Sequence, residues 1–517
     1  MTRDRSSEGG LGLFSHGAAM NRSLYSGILI ALASLILFLL LASLFLRFTI
    51  DDAFITFRYA ENLAHGQGPV FNPGERVEGY TSFAWMLLMA AVLALRQDPV
   101  AASKALGLAG SLVTLAVTYR LARYVSWHPR STGLIAVLGL ATNASFALSA
   151  VTGLETPLYT LFLALAVLCL LREDEGGSWW PSTMLFALAA LTRPEGLAVF
   201  GLTWIYRILF ARERWPQALA RLALFGAVVG GHLLWRWSYY GDLLPATYYA
   251  KTGDLLPRLQ AGLFYLVESL IGPGLLLAAA YLLALRQRSR RLRYLLWLCG
   301  GYAAIVVWEG GDWMPGLRFW VPVLPFLYLI LAEVLVTAYH RLPTPASPRQ
   351  KVLAWVGFSS LGALYLALAV GYTAITWTYT SLRAPGYEEA HRTLANWLRE
   401  NAPPDASVAL MDIGIIGYYS HLRIIDLTGL TEAHIARAPG AFQEKVYDPA
   451  YVLNQRPEYV VLVSTDEDLE PDFAIDRRIY QSPQFQDNYR FAFKLKHYGN
   501  EGGPAYYLLL FQRKEGT

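Results

Sequence analysis

Two adjacent carboxylates, Asp51 and Asp52, are the residues of this chain best suited to chemistry. They follow directly after the first long apolar run, residues 24–46. Charges at a membrane boundary are costly unless they face water or a polar cavity, so a functional reason is expected. A carboxylate can take the proton of an attacking hydroxyl group. We therefore predict that Asp51 is a general base and that Asp52 orients the hydroxyl group or holds a divalent cation.

The stretch 48–82 must position this acid pair. Apolar residues recur at helical spacing from Asp52 to Leu63, which predicts a helix. The segments HGQGP and NPGERVEG then predict a compact loop because Gly and Pro favour turns. Since Asp is a favoured first residue of helices, either carboxylate could instead serve only as a helix cap.

The composition predicts a polytopic α-helical membrane protein. The 517 residues are 55% hydrophobic and only 16% charged, whereas a soluble chain carries about a quarter charged residues. The net charge of +4 is small, and a nucleic-acid partner is not expected. Cys169 and Cys299 both lie inside apolar runs, so they are predicted to be buried thiols without a disulfide.

The apolar runs and the basic loops together predict about eleven membrane spans, with the basic residues on the cytoplasmic side. On this count the N-terminus (1–23) is cytoplasmic and disordered, and the membrane domain covers 24–379. The first outer loop, 47–100, contains a short apolar segment that lies in or re-enters the outer leaflet. The predicted spans are 24–46, 101–122, 132–150, 156–172, 182–192, 196–211, 218–236, 260–285, 294–309, 319–339 and 352–378.

The character of the sequence changes at residue 380. An amphipathic pattern, YEEAHRTLANWLRENAPPD, predicts a helix that ends at the two prolines. Five short apolar segments follow, each bounded by polar turns, and they predict strands. We interpret 380–517 as an α/β domain on the extracytoplasmic side, in which the part around Asp412 and Asp426 faces the membrane domain.

The first outer loop contains a stretch that resembles a known family. The stretch DDAFITFRYAENLAHGQGPVFNPGERVEGYTS resembles the first extracytoplasmic loop of the C-type glycosyltransferases. It is most similar to the branch of the mycobacterial terminal arabinofuranosyltransferases. The resemblance implies inverting transfer of a sugar, arabinofuranose or a similar pentose, from a polyprenyl-phosphate donor to a cell-envelope glycan or lipid. Where the aminoarabinose transferases have Lys-Pro-Pro, this chain has Glu78-Gly79-Tyr80, so a phosphate contact is not carried over.

This reaction releases a phosphate, whose charge calls for Arg or Lys contacts. The cations predicted at the outer ends of spans are Arg193, Lys251 and Arg318. The residues predicted to bind the acceptor or the sugar are Glu78, Tyr80, Glu155, Glu195, Tyr240, Tyr248, Asp312 and Trp313. Each has a simpler explanation: Glu155 could cap a helix, the arginines could be interfacial anchors, and the aromatic residues could form a membrane belt.

Two other classes of function stay open on the sequence. A transporter or flippase of lipid-linked sugars would also be polytopic, although transporters place charges near the midplane and often repeat their halves. A non-catalytic scaffold for envelope assembly would leave the acid pair without a role. The sequence has no P-loop, CxxC or HExxH motif, and apart from a divalent cation at the acid pair it suggests no cofactor.

Overall fold

The computed structural model describes residues 10–287, 289–342, 347–465, 469–497 and 506–516. A bundle of helices extends to Thr378, and a smaller domain with a sheet follows. The helices of the bundle are α1 (Gly10–Ser43), α2 (Asp51–Ala64), α3 (Phe83–Ala94), α4 (Pro99–Val125), α5 (Pro129–Ala141), α6 (Ala144–Ser149), α7 (Thr156–Glu173), α8 (Trp180–Thr192), α9 (Glu195–Leu209), α10 (Trp215–Tyr240), α11 (Ala246–Lys251), α12 (Leu255–Glu268), α13 (Gly274–Ala284), α14 (Arg290–Glu309), α15 (Leu324–Arg341) and α16 (Pro348–Thr378). A 3₁₀ segment, Arg318–Val323, precedes α15.

The chain is a multi-pass membrane protein. Among the described residues, 6 helical stretches are long and apolar enough to cross a membrane. Helix α3 is apolar but only 12 residues long, which agrees with the short segment predicted in the first loop. The six stretches are Tyr25–Ser43, Pro99–Val125, Thr156–Glu173, Trp215–Tyr240, Arg318–Arg341 and Pro348–Asn401.

Two predicted spans are each divided into two helices. The span predicted at 132–150 is broken between α5 and α6, where the side chain of Asn143 accepts a hydrogen bond from the N–H of Phe146 and so starts a new helix. The span predicted at 260–285 is broken between α12 and α13 at Gly272, with φ +63°, and Pro273. The predicted total of about eleven spans stays a prediction.

The N-terminal boundary also differs from the expectation. Helix α1 already begins at Gly10, whereas disorder was predicted through residue 23. The cytoplasmic position of this end stays a prediction.

The C-terminal domain contains all five predicted strands. The sheet has the order β2-β1-β3-β5-β4, in which β1 is parallel to β2 and β3 while β5 is antiparallel to β3 and β4. Its elements are α17 (Ala384–Asn401), β1 (Ser407–Leu410), α18 (Ile413–Ser420), β2 (Arg423–Asp426), α19 (Ala433–Ala436), α20 (Ala450–Leu453), β3 (Tyr459–Ser464), α21 (Ala474–Tyr480), α22 (Pro483–Asn488), β4 (Tyr489–His497) and β5 (Tyr506–Arg513). The amphipathic helix predicted before the prolines is α17.

Helix α2 of the bundle holds helix α18 of the C-terminal domain at both ends. At the start of α18, the carboxylate of Asp51 accepts hydrogen bonds from two backbone N–H groups. At its end, the buried guanidinium of Arg58 donates to the carbonyl oxygens of Gly417 and Leu422. An anion at the N-terminus and a cation at the C-terminus of a helix both match its dipole. We call this two-ended contact the α18 clasp.

The loop after α2 extends the same interface to the edge of the sheet. The side-chain amide of Asn72 accepts from the N–H of Ile424 at 3.0 Å and donates to its carbonyl oxygen at 2.8 Å. It thus satisfies both backbone groups of Ile424 on the edge strand β2, as a neighbouring strand would. Glu75 adds an ion pair with Arg423 at 2.7 Å.

We expect Arg58→Met to separate the two domains. Arg58 is only 4% exposed, so its loss leaves buried carbonyl oxygens without donors and should cost on the order of 3 kcal/mol of unfolding free energy. The measurement is the apparent melting temperature of the purified full chain. Arg76→Met is the control, because Arg76 lies in the loop that follows α2, is exposed and stacks on Tyr239. Equal melting temperatures for the two variants would contradict the clasp.

Candidate active site

The predicted site residues gather at the end of the bundle against which the C-terminal domain packs, which we call the domain face. The turn 150–155 connects the acid pair to a second charged group, which contains Glu155 and Arg193. The N–H of Ile50 donates to the carbonyl oxygen of Thr152 at 3.2 Å. Gly153, with φ +90°, lies so close to Ala53 that a side chain at that position would crowd it. Glu155, two residues later, pairs with Arg193.

Asp51 is the most constrained carboxylate of the site. Its two oxygen atoms accept from the N–H groups of Gly414 at 2.9 Å and Ile415 at 2.7 Å. Burial, and next to it the charge of Asp412, raise the pKa of Asp51 to about 7, while His391 opposes both effects. The N–H bonds fix the direction of the carboxylate, and each oxygen keeps a second lone pair for another donor.

Asp52 is more open than its neighbour. Its Oδ2 lies 3.8 Å from the Nζ of Lys251, and the two side chains are 24% and 42% exposed. The Lys251 ammonium also lies 5.6 Å from the centre of the Phe442 ring, which belongs to the C-terminal domain. Lys251 is therefore a cation that an anionic ligand can reach from the solvent.

Arg193, by contrast, is enclosed by carboxylates. It is 7% exposed, donates to Glu155 at 2.7 Å, and makes two hydrogen bonds to one oxygen of Glu195. Its guanidinium also stacks on Phe319. The buried carboxylates of Glu155 and Glu195 already balance the charge of Arg193. The position of Arg193 therefore favours a structural role over contact with a phosphate.

The third predicted cation, Arg318, begins the 3₁₀ segment before α15. Its Nε donates to Asp312 at 2.7 Å, and its side chain is 13% exposed. It shares the ring of Phe319 with Arg193, which places it in the same polar group. Trp313, beside Asp312, is 59% exposed.

The residues predicted to bind a sugar do not form one surface. Glu78 is 3% exposed and lies 2.7 Å from Arg236, and burial raises its pKa to about 7. Tyr80 is also buried, and its hydroxyl contacts that of Tyr240 at 3.1 Å. Tyr248 is exposed. In the described conformation, Glu78, Tyr80 and Tyr240 pack the first loop against α10 and its C-terminal end.

The sequence analysis missed several groups that the C-terminal domain contributes. Asp412 is the residue directly before α18, and His391 contacts it from α17 at 3.3 Å. The segment around Asp412 does face the bundle, as predicted. Asp426 instead is buried, where it accepts hydrogen bonds from Thr428 and Thr431 of its own turn. The strand-like pattern gave no signal that a histidine from another helix would meet Asp412.

The acid pair does not fit a divalent cation well. Both oxygens of Asp51 accept N–H groups, and Asp52 faces the ammonium of Lys251. In the part of the chain that the structure describes, no group of three or more His, Cys, Asp or Glu side chains is arranged for a metal ion. We derive no step through a metal.

The fold defines the class to which this chain is similar: C-type membrane glycosyltransferases. ArnT from Cupriavidus metallidurans, in a crystal structure bound to undecaprenyl phosphate, superposes with a TM-score of 0.56 at 12% identity, covering 84% of this chain and 92% of ArnT. The resemblance predicted from the first loop is thereby confirmed for the fold. A family described as a domain of unknown function (DUF8728) matches residues 378–509, which correspond closely to the C-terminal domain.

Among characterised sequences, the chain is similar to terminal β-(1→2)-arabinofuranosyltransferases. It is 30% identical to the Mycobacterium tuberculosis enzyme over 225 residues, which cover 40% of this chain and 35% of that protein. It is 27% identical to the Corynebacterium glutamicum enzyme over 325 residues, which cover 54% of this chain and 46% of that protein. The chain thus matches less than half the length of either relative.

We expect Arg193→Met to act on stability before it acts on binding. The substitution leaves Glu155 and Glu195 buried without a cation, which should cost about 3–5 kcal/mol of unfolding free energy. Apparent melting temperatures of the purified chain measure this loss. Arg291→Met is the control, because its pair with Glu175 is 28% and 43% exposed and should contribute about 0–1 kcal/mol. If Arg193→Met leaves the melting temperature unchanged and weakens donor binding, Arg193 contacts the phosphate of the donor instead.

Proposed function

We propose that this protein is an inverting glycosyltransferase of the cell membrane. It moves a sugar from a polyprenyl-phosphate donor to a hydroxyl group of a cell-envelope glycan or lipid on the outer side. The observation that carries the proposal is the fixed, half-buried carboxylate of Asp51 beside the open pair of Asp52 and Lys251. Similarity to named arabinofuranosyltransferases and to the fold of ArnT supports it.

Asp51 is the proposed general base. The acceptor oxygen forms a bond to the anomeric carbon while the bond from that carbon to the phosphate oxygen breaks, and the hydroxyl proton passes to the carboxylate. A base works best when its pKa lies near the operating pH, and the pKa of Asp51 is raised to about 7 by burial and by Asp412. Asp52 then orients the acceptor hydroxyl.

Lys251 is the proposed contact for the departing phosphate. It is the most exposed of the three predicted cations, and its ion pair with Asp52 is long enough, at 3.8 Å, to be exchanged for a phosphate oxygen. Arg318 pairs with Asp312 and shares the ring of Phe319 with Arg193, so these two arginines belong to a separate polar group. An ammonium binds phosphate as a point charge, without a required direction.

The names of the relatives and two exposed aromatic side chains support a choice of sugar and acceptor. Both characterised relatives are named arabinofuranosyltransferases, so we propose arabinofuranose as the transferred sugar. Exposed Tyr248 and Trp313 are the aromatic surfaces proposed for an acceptor glycan. The direct test is incubation of the purified full chain with polyprenyl-phosphate arabinofuranose and an arabinan acceptor. Transport of the intact lipid without transfer of the sugar would favour a flippase instead.

We expect Asp51→Asn to lower kcat by roughly two to four orders of magnitude, the usual contribution of a general base. An amide cannot take a proton at neutral pH, and its NH2 group would also face one of the two N–H donors of α18. The apparent melting temperature must therefore be measured with the rate, because a loss of folded protein would also lower turnover. Asp52→Asn should slow transfer less. A much larger effect of Asp52→Asn would move the base to Asp52.

Lys251→Met should raise the KM for the donor by at least about tenfold, the value of one charged hydrogen bond, with kcat changed little. The acceptor KM should stay near that of the wild type, because the removed group contacts only the donor phosphate. Arg399→Met, an exposed cation in the last turn of α17, controls for general loss of positive charge. If Lys251→Met leaves the KM for the donor unchanged, the assignment of Lys251 to the donor phosphate is wrong.

A further inference from the structure

A pair of ionisable residues in the C-terminal domain, His391 and Asp412, lies next to the proposed base. His391 of α17 is fully buried, and its Nε2 lies 3.3 Å from the Oδ2 of Asp412. Its Nδ1 lies 2.8 Å from the carbonyl oxygen of Tyr387. The hydroxyl group of Tyr506 donates to the same oxygen of Asp412. The reaction described above gives this pair no part.

The pair is joined to Asp51 through the first turn of α18. Asp412 is the residue before that helix, and the N–H groups of Gly414 and Ile415, two and three residues later, hold both oxygens of Asp51. Any shift of Asp412 therefore moves the donors that orient Asp51. The imidazole, by holding Asp412, fixes the start of α18 and with it the direction of the base.

The pair of His391 and Asp412 also contributes to the electrostatic environment of Asp51. Asp52 faces it from α2, Asp412 from the start of α18, and His391 from α17, while Lys251 lies beyond Asp52. The hydroxyl groups of Tyr387 and Tyr506 complete the surroundings. Three carboxylates are thus opposed by one imidazole and one ammonium, and of these cations only the imidazole is fully buried.

We propose that His391 and Asp412 are positioning residues, supplied by the C-terminal domain, that set the direction and the charge state of Asp51 during sugar transfer. The proposal rests on the proposed function, since Asp51 is a base only if transfer occurs. It explains why the C-terminal domain is clasped to α2: the catalytic carboxylate is complete only when α17 and α18 are in place.

The charge effect has a defined sign. His391 lowers the pKa of Asp51 and Asp412 raises it. Asp412 itself stays ionised: burial raises its pKa, but the hydrogen bonds from His391 and Tyr506 outweigh burial, so its pKa lies below the usual value of 3.8. Replacing His391 by a neutral residue should therefore raise the pKa of Asp51, because its only buried positive neighbour is gone.

The test is the pH dependence of kcat/KM for the purified full chain. In the wild type the rate should fall as pH drops below about 7, where Asp51 takes up a proton. His391→Gln should move this acidic limb to higher pH by about one unit, the usual effect of losing a nearby opposite charge. His434→Gln is the matched control, because His434 is an exposed histidine of the same domain that stacks on Tyr451. Its limb should coincide with that of the wild type.

Two results would overturn the proposal. One is a His391→Gln variant that is slower at every pH with an unmoved limb, which would mean that His391 only supports the fold. The other is an equal shift for His434→Gln, which would mean that any lost histidine has this effect.

A second measurement separates this inference from the proposed function. The double variant His391→Gln/Asp412→Asn should melt at a higher temperature than His391→Gln alone, because it removes the carboxylate left without a cation. If the wild type shows no transfer, the proposed function fails, and this comparison still decides whether the pair is coupled. A double variant that melts no higher than the single one would overturn the pairing even in an active enzyme.

Discussion

The contact between helices α2 and α18 is the interaction on which the arrangement of the domain face depends. One helix supplies an anion at Asp51 and a cation at Arg58, two turns apart, and these bind the opposite ends of the other helix. Unpaired N–H and carbonyl groups at helix ends must find partners when they are buried. Here the partners come from a separate domain, so the hydrogen bonds that satisfy the helix ends also join the two domains.

This constraint gives Asp51 a structural role in addition to its proposed catalytic one. The carboxylate that caps α18 is also the one whose pKa burial raises towards neutrality. The two possibilities left open by the sequence, a helix cap and a general base, are therefore compatible. The cap is unusual because the capped helix is not α2, which Asp51 begins, but α18, which lies more than 360 residues away in the chain.

The cations of the domain face divide by burial. Arg193 is surrounded by Glu155 and Glu195 inside the protein, whereas Lys251 stands at the surface beside Asp52. Removing a partner from a buried ion pair leaves a charge in a poor solvent, while an exposed pair exchanges partners at little cost. A cation of the domain face can therefore be structural or available to a ligand, and only its surroundings decide which.

The sequence by itself determined the elements and the class. Apolar runs identified a multi-pass membrane protein, alternation and turns identified the five strands after residue 400, and the loop motif identified the C-type fold. These features depend on patterns among residues that are close to one another in the sequence. Only the tertiary structure decided that Asp51 binds α18, that His391 stands behind Asp412, and that Glu78 and Tyr80 are buried. These pairings join residues from different elements or depend on what covers a side chain, and no local pattern in one sequence records either.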